Sequence, residues 1–125
     1  MKKESDYCNV IAIVRTELLE KVESKLQELN VHGFSVMQVK GCGEYIDSYN
    51  PECFKIHARI EIFTFTRRAE AIAQAIMETA HTGEEGDGIV AIIPVSWVYR
   101  IRTYQLLTQR KVPRDQEVDG NKISS

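Results

Sequence analysis

The stretch Thr82-Gly83-Glu84-Glu85-Gly86-Asp87-Gly88, with Arg100 and Arg102 downstream, holds the residue types best suited to binding chemistry in this chain. Glycines let a backbone approach a ligand closely, and a turn built from them can aim several N–H groups at one anion. Guanidinium forks match phosphate and carboxylate oxygens, and arginines at alternate positions of a strand point the same way. Together these residues predict a cradle for a phosphate or another anion. Glycines ahead of a strand also make ordinary turns, so the turn by itself leaves both readings open.

Catalytic and metal chemistry find less support. His32, His57 and His81 are scattered, and no nucleophile, base and orienting group can be assembled around them, so the chain reads as a non-enzyme without catalytic cofactor or metal. Cys8, Cys42 and Cys53 form an odd set without paired C-x-x-C spacing, which disfavours a secreted disulfide framework and a structural zinc site. Cys8 heads an apolar run and reads as a small core residue; Cys42 and Cys53 bracket a loop, where a reversible disulfide is one reading. A formal charge of −2 and a pI near 5.9, with no basic stripe, argue against a nucleic-acid partner. The polar start, Met1-Lys2-Lys3-Glu4-Ser5-Asp6, and the short apolar run after it fit neither a signal peptide nor a membrane span. A cytoplasmic protein without direct membrane insertion is therefore expected.

A chain of 125 residues makes one domain with a two-layer core, too small to enclose a deep site alone, which favours a site between subunits. Residues 7–14 carry a continuous β-branched run and read as a first strand. Thr16 is offered as an N-cap, and Leu18, Leu19, Val22, Leu26 and Leu29 then mark an amphipathic helix. Residues 34–40 read as a second strand, followed by a turn-rich loop. In residues 54–63, Ala58, Ile60 and Ile62 alternate with His57, Arg59 and Glu61, which predicts a strand with one face under helices and one carrying charges. Thr66 is the candidate cap of a second helix, whose Ala and Met positions, Met77 among them, read as core filling. Residues 89–93 are apolar throughout and predict a central fourth strand, and 97–103 a short C-terminal strand with Arg100 and Arg102 on one side. Strand, helix, strand, strand, helix, strand is the order of an α+β, ferredoxin-like βαββαβ domain with a four-stranded antiparallel sheet.

At residue level the chain resembles the PII signal-transduction superfamily over nearly the whole domain. Val31-His32-Gly33-Phe34-Ser35-Val36 and Val39-Lys40-Gly41-Cys42-Gly43 resemble its second-strand motif, and Arg59-Ile60-Glu61-Ile62 its third strand. Thr82-Gly83 to Gly86-Asp87-Gly88 resembles its B-loop, and Arg100-Ile101-Arg102-Thr103 its C-terminal signature. The resemblance implies a homotrimer that binds adenine nucleotides in clefts between subunits and controls a membrane transporter or an enzyme. It places Gly41 and Gly43 along the nucleotide and Ser35 by the adenine. It wraps Gly86, Asp87 and Gly88 around the phosphates, with Arg100 and Arg102 reaching them from the neighbouring side of the cleft. The domain is expected to cover residues 1–112, with 44–53 as a short T-loop, 82–88 as the B-loop and 113–125 as a polar C-terminal tail.

Departures from the family pattern narrow the expected ligand. Ile89 and Glu44 stand where the family carries basic residues, so ADP or AMP is expected to bind better than ATP. The segment 44–53 is short and places neither Tyr45 nor Tyr49 in a modification context, which is similar to divergent PII-like branches, among them carboxysome-associated proteins linked to bicarbonate. Bicarbonate beside ADP is the corresponding expectation. The alternatives are a nitrogen-regulatory PII-type sensor of ATP and ADP, or a structural, metal-tolerance trimer of the CutA-like kind.

Overall fold

The computed structural model describes residues 6–41 and 55–107. The chain runs β1 (Tyr7–Arg15), one 3-10 turn (Thr16–Leu18), α1 (Leu19–Glu28), β2 (Ser35–Gly41), β3 (Lys55–Phe65), α2 (Thr66–Ala80), β4 (Gly88–Val95), β5 (Tyr99–Arg100) and β6 (Gln105–Leu106). The four longer strands make one antiparallel sheet in the order β2-β3-β1-β4, and β5 and β6 pair as a separate hairpin. This is the expected ferredoxin-like α+β arrangement, except that the single short C-terminal strand is a two-stranded hairpin. Among the described residues no helix is long and apolar enough to cross a membrane.

Side-chain alternation decides the core. Val10, Ala12 and Val14 of β1 and Ala58, Ile60 and Ile62 of β3 point to one face, where they meet Val22 and Leu26 of α1 and Ile72 and Ile76 of α2. Neither helix is started by its threonine. Arg15 stands ahead of the 3-10 turn without a side-chain cap, and Thr16 instead donates to the Ile56 carbonyl, tying that turn to β3. Thr66 is already the first residue of α2, and its hydroxyl accepts from the buried Cys8 thiol. The end of α1 is well defined: Asn30 takes φ 62, and Val31 and Asn30 donate to the carbonyls of Leu26 and Gln27. That pairing is the Schellman stop, and Val31 packs beside Leu26 in the core.

The fourth strand is an edge, not a centre. Each strand-helix-strand unit skips one place, so β3 slots between β2 and β1 and leaves β4 outside β1. The apolar run predicted a covered strand, yet Ile89, Ile92 and Ile93 are exposed along this edge. Met77 is likewise half exposed rather than buried, because it lies beyond the stripe formed by Ala69, Ile72, Ala73, Ile76 and Ala80.

Candidate functional site

Two ends of the sheet have different chemistry. At one end, β1 closes on Arg15, which is in register with His57 of β3, while Val14 is in register with Gly88 at the start of β4. The 82–88 turn therefore arrives beside Arg15 and His57. Gly88 enters the sheet at φ 108, and a Cβ there would stand 1.7 Å from the Ile13 carbonyl oxygen, so only glycine fits. Gly83 and Gly86 also take positive φ.

Asp87 organises the turn from inside. Its carboxylate accepts the Thr82 amide at 2.8 Å, the Gly83 amide at 2.9 Å, the Thr82 hydroxyl, and Arg15 Nε at 3.1 Å. Burial works to raise the Asp87 carboxyl, but the hydrogen bonds from Thr82, Gly83 and Arg15 prevail and hold it well below the usual carboxylate range. The expected phosphate-wrapping residue thus spends its charge on its own loop, and the Thr82 and Gly83 amides are used up with it.

Two further contacts tie the turn to the sheet. Arg15 Nη2 donates to the Glu85 carbonyl at 2.6 Å, and His57 Nε2 meets the Gly86 carbonyl at 3.0 Å. A carbonyl accepts, so the ring carries its proton on Nε2. His57 is only 4% exposed although the alternation of β3 turns it away from the helices, because the turn folds over it. Sequence reasoning missed Arg15 altogether. Its partners lie 70 and 72 residues away, and no local spacing signals them.

Beside the turn runs a groove of about 360 Å³, lined mainly by Met77, Ala80, His81, Asp87, Ile89 and Val90. His81 Nδ1 stands 3.9 Å from Asp87 Oδ2. Ile89 extends the apolar wall where a basic side chain was absent from the sequence. Glu84 and Glu85 are exposed on the turn itself, an acidic pair that the sequence displayed and the motif reading passed over.

The remaining expected site residues do not join the turn within one chain. Gly41 ends β2 opposite Lys55, at the same end of the sheet as the turn but on the other edge, three strand spacings or about 14 Å away. Ser35 starts β2 opposite Glu61, about 20 Å back along that strand. Arg100 lies at the far end of the sheet: its guanidinium acts on the Tyr7 phenol, lowering it against the larger upward push of burial. Tyr7 is seven residues from Val14 along β1, a span of about 23 Å, so Arg100 belongs to the end of the sheet opposite the turn. Arg102 does not alternate with Arg100 but falls in the tight turn between β5 and β6, exposed. Gly43, Glu44, the disulfide candidates Cys42 and Cys53, the 44–53 loop and the 113–125 tail lie outside the described residues. No cluster of His, Cys, Asp or Glu able to hold a metal occurs among the described residues.

Comparison with known proteins gives consistent results. The family model described as "Nitrogen regulatory protein P-II" matches residues 7–105. "Nitrogen regulatory protein P-II 2" of Methanothermobacter thermautotrophicus is 34% identical over 101 residues, covering 75% of this chain and 88% of the relative. The "Nitrogen regulatory protein P-II homolog" of Arabidopsis thaliana is 32% identical over 108 residues, covering 80% of this chain. This chain spans about half of that plant relative, 55% of its length. Among solved structures, Arabidopsis thaliana PII bound to citrate superposes with a TM-score of 0.69 at 32% identity, over 82% of this chain and 89% of the other.

Proposed function

The chain belongs to the P-II family of nitrogen regulatory proteins, and from that premise we propose that it is a non-enzymatic sensor of adenine nucleotides that works as a homotrimer. Nucleotide sits between the 82–88 turn and Gly41 of one subunit and Arg100 and Arg102 of the next, and its binding alters contact with a transporter or an enzyme. The observation that carries this reading is that Arg100 acts on Tyr7 at one end of β1 while the turn enters beside Val14 at the other, a strand span of about 23 Å. A second copy supplies what the first cannot reach. The exposed β4 edge and the exposed Trp97, Tyr99, Ile101 and Tyr104 around the hairpin offer the apolar surface such an assembly would cover.

ADP or AMP is favoured over ATP. Ile89 gives the groove a wall without a cation, Asp87 is neutralised internally by Arg15, and Glu84 and Glu85 add negative charge at the surface. A unit charge several ångströms away matters by about 1 kcal/mol near a surface, and the penalty grows with ligand charge. Bicarbonate, a small anion, would occupy the space that the outermost phosphate leaves. Calorimetry with ATP, ADP and AMP at controlled magnesium, each with and without bicarbonate at fixed pH and ionic strength, tests both points. ADP is expected to bind more tightly than ATP, and its affinity to change with bicarbonate. ATP binding tighter than ADP overturns the preference, and an ADP affinity indifferent to bicarbonate overturns the second effector.

The second reading is a nitrogen-regulatory sensor of ATP and ADP, favoured by the names that the matched relatives carry. Adding 2-oxoglutarate to the same titrations separates the two, since such a sensor would tighten on ATP. Failure of every adenine nucleotide to bind would favour the CutA-like structural trimer.

A further inference from the structure

His81 lies at the groove but outside the motifs that mark the family. α2 ends at Ala80, and His81 leaves it in an extended conformation, φ −70 and ψ 128. That step lays the imidazole against the start of the 82–88 turn: a Cβ on Gly83 would stand 3.9 Å from both Cε1 and Nε2 of the ring. Its Nδ1 lies 3.9 Å from Asp87 Oδ2, the oxygen that already accepts the Thr82 and Gly83 amides. At that distance a protonated ring is attracted to the carboxylate, and a neutral one makes no hydrogen bond to it.

The His81 side chain is 74% exposed, and it shares the groove with Ile89, where the family pattern has a cation. The turn surrounds it with Asp87, Glu84 and Glu85, and α2 carries Glu78 one helical turn back. From β1, Arg15 is paired with Asp87 at 3.1 Å; from β3, His57 is buried beneath the turn; β4 brings only Ile89 and Val90. The Arg15–Asp87 pair cancels its own charge, and the glutamates repel an anion. Among the described residues that line the groove, His81 is therefore the one able to carry positive charge, and it does so only when protonated. Imidazoles gain that proton as pH falls from about 8 to about 5.

We propose that His81 is a specificity-determining residue of the nucleotide cleft, whose imidazolium supplies at the groove the cation that Ile89 withholds and so makes the choice between ATP and ADP depend on pH. The additional phosphate of ATP brings more negative charge to the groove, where a neutral ring offers nothing to offset it. Protonation puts a positive charge there, and that charge gains more from the more highly charged ligand. The preference for ADP is then strongest in mildly alkaline solution and weakest in mildly acidic solution. The identity of the ligand rests on the nucleotide reading above, while the proton-dependent cation rests only on the position of His81.

Calorimetry with ATP and ADP on wild type, His81→Gln and His81→Lys, at about pH 6 and about pH 8 with magnesium and ionic strength fixed, tests the idea. Each result is read as the ratio of ATP to ADP affinity divided by the ratio for His81→Gln at the same pH, which cancels the protonation of the nucleotides themselves. For wild type this quotient should rise about five-fold from the higher pH to the lower, the effect of one added charge near a surface. His81→Lys, charged throughout, should hold the raised value at both. An exposed ring without a hydrogen bond is not needed for folding, so all three proteins should melt alike, and a melting curve for each checks it. A wild-type quotient that does not change with pH overturns the proposal, as does a ratio for His81→Lys no higher than that for His81→Gln. If wild type binds neither nucleotide, the nucleotide reading fails and the cation is judged with tripolyphosphate against pyrophosphate as probes. A preference for tripolyphosphate that rises at the lower pH in wild type but not in His81→Gln upholds it, and no such rise, or no binding, overturns it.

Discussion

Asp87 receives donors from Thr82, Gly83 and Arg15 and is the residue on which the turn's shape converges. Hydrogen bonds to a charged group contribute about 1.5–3 kcal/mol when the partner is well ordered, so Asp87→Ala should cost about 2–3 kcal/mol in urea unfolding at pH 7. The pH dependence has a definite sign. A carboxyl depressed in the folded state stabilises the fold fully above its unfolded value near 4, and that stabilisation is lost as pH falls through the folded value. The gap between wild type and Asp87→Ala should therefore hold from pH 7 to about 5 and narrow steadily below about 4. A gap that stays constant down to pH 2.5 would assign the effect to packing instead. The Gly-Asp-Gly signature was plain in the sequence, but it suggested an outward-facing acid. Whether a carboxylate faces a ligand or its own loop depends on donors that the fold brings from elsewhere, here Arg15.

At the level of elements, the close entry of β4 beside β1 sets the turn's position. Gly88 combines φ 108 with a Cβ position that overlaps the Ile13 carbonyl, so Gly88→Ala must either push the strands apart or distort the ladder. A cost of about 3 kcal/mol or more is expected, from strain and overpacking together. Gly33→Ala is the matched control: nothing lies within 4 Å of its would-be Cβ, and a change within about 0.5 kcal/mol is expected. Thermal melts of the two variants decide the matter, and equal melting temperatures would mean that β4 shifts freely. Strand and helix existence was legible from alternation and from the 3.6-residue stripe, as Val10, Ala12 and Val14 on β1 and Ile72 and Ile76 on α2 show. The caps were not. Thr16 and Thr66 have the right type and place, but tertiary partners, the Ile56 carbonyl and the Cys8 thiol, claim their hydroxyls first.

For the whole molecule, the question is which parts of a site one chain can assemble. The turn and Arg100 sit at opposite ends of β1, so a cleft that uses both is shared between copies. Co-expression tests this directly. An Asp87→Ala chain lacks the turn, an Arg100→Ala/Arg102→Ala chain lacks the arginines, and each alone should bind ADP at least ten-fold more weakly than wild type. Random mixing of the two in a cyclic assembly rebuilds about one cleft in four with both parts intact, because each cleft draws one side from each of two neighbours. Recovery of about a quarter of the wild-type sites supports the shared cleft; no recovery in a mixed oligomer sinks it.

By itself the sequence determined the order of elements, the ferredoxin-like class, the glycine turn and the family motifs, because these depend on local periodicity and on residues adjacent along the chain. Only the tertiary structure decided that the apolar β4 is an edge, that His57 is buried under the turn and that Asp87 is spoken for by Arg15. It also decided that Arg100 belongs to the end of β1 opposite the glycines with which its motif is associated. Each of those facts joins residues far apart in sequence. Their contacts follow from strand order and register, which a linear pattern does not encode.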